Sequence, residues 1–342
     1  MSTSNISSSN TIKFVFDDGI AIPYIVRFWV FLISNILSII CCLFVLYHFL
    51  FDSTLRRGLH NHVMIIILIM CLIWELTDVP WTMYVALYEV VWIQTPTFCM
   101  IWKFVDSTLY TTIAKLVAWA SVERHILIFH DQWLSTKKKR FFIHYLPLIF
   151  IVLYGIIVYG TITPMNNCNR PFYYFIPFCA YYSCIYDSVA FSLYEYITSG
   201  VLCSVLIGFG STFLVLRVIL QKRRLQQQIQ WRKHRKMILQ LLSVTSLFFV
   251  LYLPPIILAT AYKLGVPTSV GAQYTLYSQL FAYYIVFLFP FTCLSTIPEL
   301  GTRIKNIFRC PWRQHTNAIH PEQWASRVPV VTRMNKQKTT IM

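Results

Sequence analysis

A chain of 342 residues that is 57% hydrophobic and only 12% charged, with a mean hydropathy of +0.58, carries more apolar surface than a soluble domain of that length can bury. Lipid-facing helices need not bury it, so the composition indicates an integral membrane protein. A formal net charge of +16 would suit nucleic acid, but the basic residues lie between apolar segments rather than along one face, which excludes that partner and points to membrane orientation.

The first 23 residues are polar and rich in Ser and Asn, with no basic stretch leading into a short apolar core and a small-residue cleavage site. The first spanning helix is therefore expected to direct insertion itself, without a cleaved signal peptide. Asn5-Ile6-Ser7 is a glycosylation sequon if this tail faces the lumen. Seven apolar segments follow, at 24–51, 62–88, 98–129, 141–162, 189–220, 237–262 and 272–298. An odd count places the two termini on opposite sides. Basic residues crowd the connections after the first, third and fifth segments (Arg56 and Arg57; Lys137 through Arg140; Lys222 through Lys236) and the tail after Pro298, whereas the other side has little beyond Lys13, Arg170 and Lys263. By the positive-inside rule the basic loops are cytoplasmic and the N-terminus is extracellular, as in a multi-pass protein of the plasma membrane.

Polar residues inside these segments mark candidate sites. Asn35 in the first segment is a polar residue to be satisfied within the bundle, and Glu75 and Asp78 in the second are pocket candidates, because intramembrane acids are costly unless they face a cavity or a partner. The third begins at Cys99, carries Lys103, Asp106, Tyr110 and Lys115, and ends with Glu123-Arg124-His125. From Cys99 to Arg124 is 25 residues, which at helical rise spans somewhat more than the roughly 30 Å of bilayer hydrocarbon. The fourth segment has only Pro147 and Pro164 near its ends to distinguish it. Cys168, Cys179 and Cys184 follow, making four extracellular cysteines with Cys99; three pairings are open to them and spacing does not choose. In the sixth, Phe248, Tyr252, Pro254 and Pro255 suggest a hinge, since proline frees a carbonyl and permits a kink. The seventh contains Tyr283 and Pro290. Residues 299–310 alternate basic and apolar positions as an interfacial helix does, with Cys310 a palmitoylation candidate, and 311–342 form a cytoplasmic tail.

A membrane helix that starts at a cysteine and ends, 25 residues on, at Glu123-Arg124-His125 resembles the third helix of rhodopsin-like (class A) G-protein-coupled receptors. The resemblance extends over about 24–310, as a divergent member. It implies a seven-transmembrane helix bundle with a short amphipathic eighth helix, an extracellular ligand and a heterotrimeric G protein inside. Arg124 would be the switch residue, held at rest by Glu123, with Pro254 and Pro290 as the hinge prolines of the sixth and seventh helices. The family also implies a bridge from the top of the third helix to the following loop, with Cys99–Cys184 and Cys168–Cys179 the expected pairs. The family's sodium-binding aspartate falls on Cys71, its toggle tryptophan on Tyr252, and its seventh-helix Asn-Pro pair on Phe289-Pro290. Asp106 stands where receptors for biogenic amines hold the ligand and Tyr283 where they place the tyrosine that bonds to this acid, so Asp106, Lys103, Tyr110, Tyr252, Tyr283 and Asp78 are the expected ligand-binding set. An amine or another chemosensory cue is the expected ligand, and a neuropeptide the alternative.

No lysine lies within 272–298, where a retinal pigment needs one. Neither a metal cluster, a phosphate loop nor a nucleophilic triad can be read, so neither enzyme nor cofactor is expected. The rival class is a seven-helix ligand-gated channel or a transporter. A channel of the insect odorant type places its N-terminus inside, against the loop charges, and no convincing repeat supports a transporter.

Overall fold

The computed structural model describes residues 20–129, 136–164, 171–181, 183–225, 231–294 and 297. Helices dominate, and there is no strand among the described residues. Among the described residues, six helices are long and apolar enough to cross a membrane: Tyr24–Phe51 (α1), Leu59–Tyr88 (α2), Lys137–Ile162 (α4), Val189–Arg217 (the main part of α5), Leu239–Lys263 (the main part of α6) and Ala272–Leu294 (α7). The chain is thus an all-α membrane protein. Large apolar side chains such as Phe150, Phe209 and Val250 point outward along these helices, which water would penalise and lipid accepts.

Between α2 and α4 runs α3, Pro96–Phe129, a helix of 34 residues. Its apolar run is broken by Lys103, Asp106, Lys115, Glu123 and Arg124, and it does not join the six. The same charges account for its place. It packs against α2, α4 and α5, and residues from Cys99 to Arg124 along it are buried, so protein rather than lipid receives its polar groups.

Four of the helices are interrupted, each for a local reason. Pro80 cannot donate to the preceding turn, and α2 breaks at Thr77 (φ −115°, ψ −74°) into Leu59–Leu76 and Asp78–Tyr88. In α4 a π-turn at Phe141–Tyr145 holds His144, and in α5 a π-turn at Tyr196–Val201 loosens the backbone around Ser199. Pro254 and Pro255 divide α6 into Trp231–Leu251 and Leu253–Lys263 at Tyr252. The last two breaks are joined, because the Tyr252 hydroxyl donates to Ser199 O at 2.8 Å. Pro290 sits buried inside α7, which continues to Leu294.

Polar side chains tie the remaining helices. Ser38 Oγ of α1 lies 2.5 Å from Glu75 Oε1 and 2.9 Å from Phe287 O, and Asn35 Nδ2 donates to Glu75 O at 3.2 Å, so α1, α2 and α7 meet at one point. Glu75 is fully buried there, above the Cys71 thiol. Close backbone approach needs small residues as well. A Cβ on Gly155 of α4 would run into Thr112 Oγ1 of α3, so Gly155→Ala is expected to cost about 1–3 kcal/mol by overpacking. Thermal unfolding of the purified variant in detergent checks this; an unchanged transition would mean that α3 and α4 do not meet here.

The sequon at Asn5, Cys168, the 299–310 segment with Cys310, and the 311–342 tail lie outside the described residues.

Candidate functional site

One end of α3 is fixed by a disulfide. Cys99 pairs with Cys179, Cα to Cα 5.7 Å, which makes the expected bridge from α3 to the loop but replaces the expected pairs Cys99–Cys184 and Cys168–Cys179. The reason is a turn in which Phe178, Cys179 and Ala180 all take positive φ (55°, 53° and 49°). This left-handed turn seats Cys179 against Trp102 and Phe98 of α3, and the Phe178 ring lies 5.0 Å from that of Trp102. Backbone bonds from Tyr173 N to Cys179 O (2.9 Å) and from Val91 N to Tyr174 O (2.7 Å) hold the loop down. Cys184 is itself disulfide-bonded. Nearby, Tyr181 donates to Thr163 O at 2.9 Å, and burial pushes its phenol pKa up.

Below this loop lies a cavity of about 420 Å³ bordered by α3, α5, α6 and α7. Five of the six expected ligand-binding residues line it: Asp106, Lys103, Tyr110, Tyr252 and Tyr283. Asp78 does not. It is fully buried, accepting from Trp74 Nε1 at 2.8 Å on one oxygen and from Trp102 Nε1 at 2.5 Å on the other, so it braces α2 against α3 instead of facing the cavity. Asp106 is also engaged. Lys103 Nζ donates to it at 2.9 Å while lying 4.9 Å from the centre of the Phe178 ring. The expected partnership of Tyr283 with Asp106 is absent, because the Tyr283 hydroxyl is 2.9 Å from Thr82 Oγ1. Aromatic rings continue inward from Tyr283 to Trp74 (6.0 Å), Tyr110 (5.8 Å), Tyr252 (5.1 Å) and Phe248 (5.5 Å). That chain ends at the break in α6.

The sequence reading missed Glu195 on α5. It lines the same cavity and is 5% exposed. One oxygen accepts from Tyr159 OH and from Ser199 Oγ (2.7 Å), and the other has no partner. A signal was there, since an acid within an apolar segment is what singled out Glu75 and Asp78.

At the other end of α3, Arg124 is 1% exposed. Its Nη2 donates to Gln240 Oε1 of α6 at 2.8 Å, and Gln240 Nε2 in turn donates to Cys293 Sγ of α7 at 3.4 Å. Arg124 Nε and Nη1 have no partner. Glu123 does not hold Arg124, contrary to expectation. It pairs with His144 Nδ1 of α4, whose Nε2 is 3.0 Å from His62 Nδ1, and His62 Nε2 reaches Arg56 O at 2.9 Å. Adjacent residues on a helix point roughly 100° apart, so Glu123 and Arg124 address different neighbours. His125 stacks on Phe213 of α5 with ring centroids 5.0 Å apart. Gln240 was legible only as one polar residue in an apolar segment. No group of three His, Cys, Asp or Glu able to hold a metal occurs among the described residues.

Among known proteins, no family model and no curated protein matches this chain.

Proposed function

We propose that the chain is a divergent rhodopsin-like receptor of the plasma membrane, with seven spanning helices and its N-terminus outside. It binds a small extracellular ligand in the cavity and activates a heterotrimeric G protein at the Arg124 end. The observation that carries this reading is the span of α3. One helix runs from a disulfide-tied end, past a cavity, to a buried arginine held by a side chain of α6. A volume of about 420 Å³ falls in the range of small-molecule sites.

The geometry supports a route for the signal. A ligand that moves Tyr110 moves Tyr252, which stands at the break in α6 and is anchored to the π-turn of α5. Displacement of the inner half of α6 takes Gln240 away from Arg124. The guanidinium, always charged, then lacks its one bonded acceptor and favours a state in which an entering G-protein segment supplies others. Ligand binding shifts the balance only by its difference in affinity for the two arrangements.

The test is a cell assay in which nucleotide exchange on the G protein and membrane conductance are recorded together while amines, peptides and odorants are applied, with an N-terminal epitope probed on intact cells. Exchange without conductance and an accessible epitope are expected. Ligand-gated current with an inaccessible epitope would replace the receptor by a channel.

A further inference from the structure

We infer that Glu195, and not Asp106, is the acid that receives the ligand, and that the ligand carries a compact protonated amine. The inference rests on the receptor reading for its biological setting, but the site itself is argued from the cavity.

Among the described residues, three charged side chains line the cavity: Lys103, Asp106 and Glu195. The first two neutralise each other at 2.9 Å, and the Phe178 face occupies the lysine further. That leaves the carboxyl group of Glu195. Its Oε1 already accepts from Tyr159 OH and Ser199 Oγ, which fixes the group in orientation, while Oε2 accepts nothing. An acid so enclosed with a bare oxygen pays a desolvation cost that a donor in the cavity would relieve. Glu75 also has an unbonded oxygen, but it is closed in among α1, α2 and α7 and does not line the cavity.

Lys115 of α3 is the neighbouring cation, and it does not meet the need. Its charge attracts Glu195 through space, but its Nζ lies 4.5 Å from the centre of the Tyr154 ring and donates no hydrogen bond, so Oε2 still lacks a donor. An anionic ligand would find no free cation among the described residues of the cavity wall, and at Glu195 an acceptor instead of a donor. A neutral ligand could bring Oε2 only an uncharged donor. A protonated primary or secondary amine offers N–H donors and the compensating charge at once, and such charge-assisted bonds are the strong ones. Tyr110, Tyr159, Tyr196 and Tyr252 line the same space, and aromatic faces attract a cation.

The experiment is thermal unfolding of the purified full-length chain with phenethylamine and a panel of other primary and secondary alkyl and arylalkyl amines at millimolar concentration. Phenethyl alcohol and phenylpropionate serve as neutral and anionic counterparts. An amine is expected to raise the melting temperature where the counterparts do not. Glu195→Gln keeps an acceptor for Tyr159 and Ser199, so it folds, and it should weaken the amine at least about tenfold. The double variant Lys103→Gln/Asp106→Asn removes a neutral pair and should keep the amine shift. The inference fails if every amine is silent, if the alcohol or the acid does as well, if the shift survives Glu195→Gln, or if it vanishes in the double variant. Stabilisation by an amine without nucleotide exchange would leave the Glu195 site standing and remove the signalling role. Exchange driven by a neutral ligand and indifferent to Glu195→Gln would do the reverse.

Discussion

Arg124→Ala is expected to reduce ligand-stimulated nucleotide exchange on the G protein at least about tenfold at equal surface expression, while leaving ligand binding nearly intact. The guanidinium is 1% exposed and makes one hydrogen bond, to Gln240, with Nε and Nη1 unused. Truncation removes both the link that holds α6 in place and the donors proposed to meet the G protein. Gln240→Leu separates the two roles. It takes away the acceptor, and with it the bond to Cys293 Sγ, but leaves the guanidinium in place; a hydrogen bond from a charged group contributes about 1.5–3 kcal/mol, so the resting arrangement should lose roughly ten- to a hundredfold in population. Ligand-independent exchange should therefore rise in Gln240→Leu and fall in Arg124→Ala. The same change in both would mean that the pair is structural.

Cys179→Ser and Cys99→Ser should each destabilise the protein by about 4 kcal/mol, because the bridge closes a loop whose ends are 80 residues apart in sequence. Losses of surface expression and of melting temperature should be alike in the two single variants and no greater in the double one. Peptide mapping under non-reducing conditions checks the pairing directly: a Cys99–Cys179 peptide is expected and should persist in Cys184→Ser. A Cys99–Cys184 peptide instead would restore the pairing first expected and require a different loop above the cavity.

What could be read in the sequence was what depends on a single helix. Long apolar runs marked the spans, and Pro80, Pro254 and Pro255 lie at the breaks in α2 and α6. Contacts between helices could not be read the same way. The Cys99–Cys179 bridge depends on a positive-φ turn made by Phe178, Cys179 and Ala180, none of them a glycine, so no local residue type announces it. Glu123 and Arg124 are neighbours in sequence, yet His144 and Gln240 take them apart, which only the rotational setting of α4 and α6 decides. Asp106 stood out by position, but its engagement by Lys103 one turn earlier was also legible at that spacing. Glu195 satisfied the rule that identified Glu75 and Asp78 and was overlooked because no family pattern pointed to it.

The most direct test of the whole account is guanine-nucleotide exchange by a purified heterotrimeric G protein added to the full-length chain in lipid nanodiscs, with and without the amine that most stabilises it. Exchange accelerated by the chain, increased by the amine and lost in Arg124→Ala is the predicted result. Exchange at the unassisted rate with every G protein offered, from a chain that binds the amine, would contradict the account.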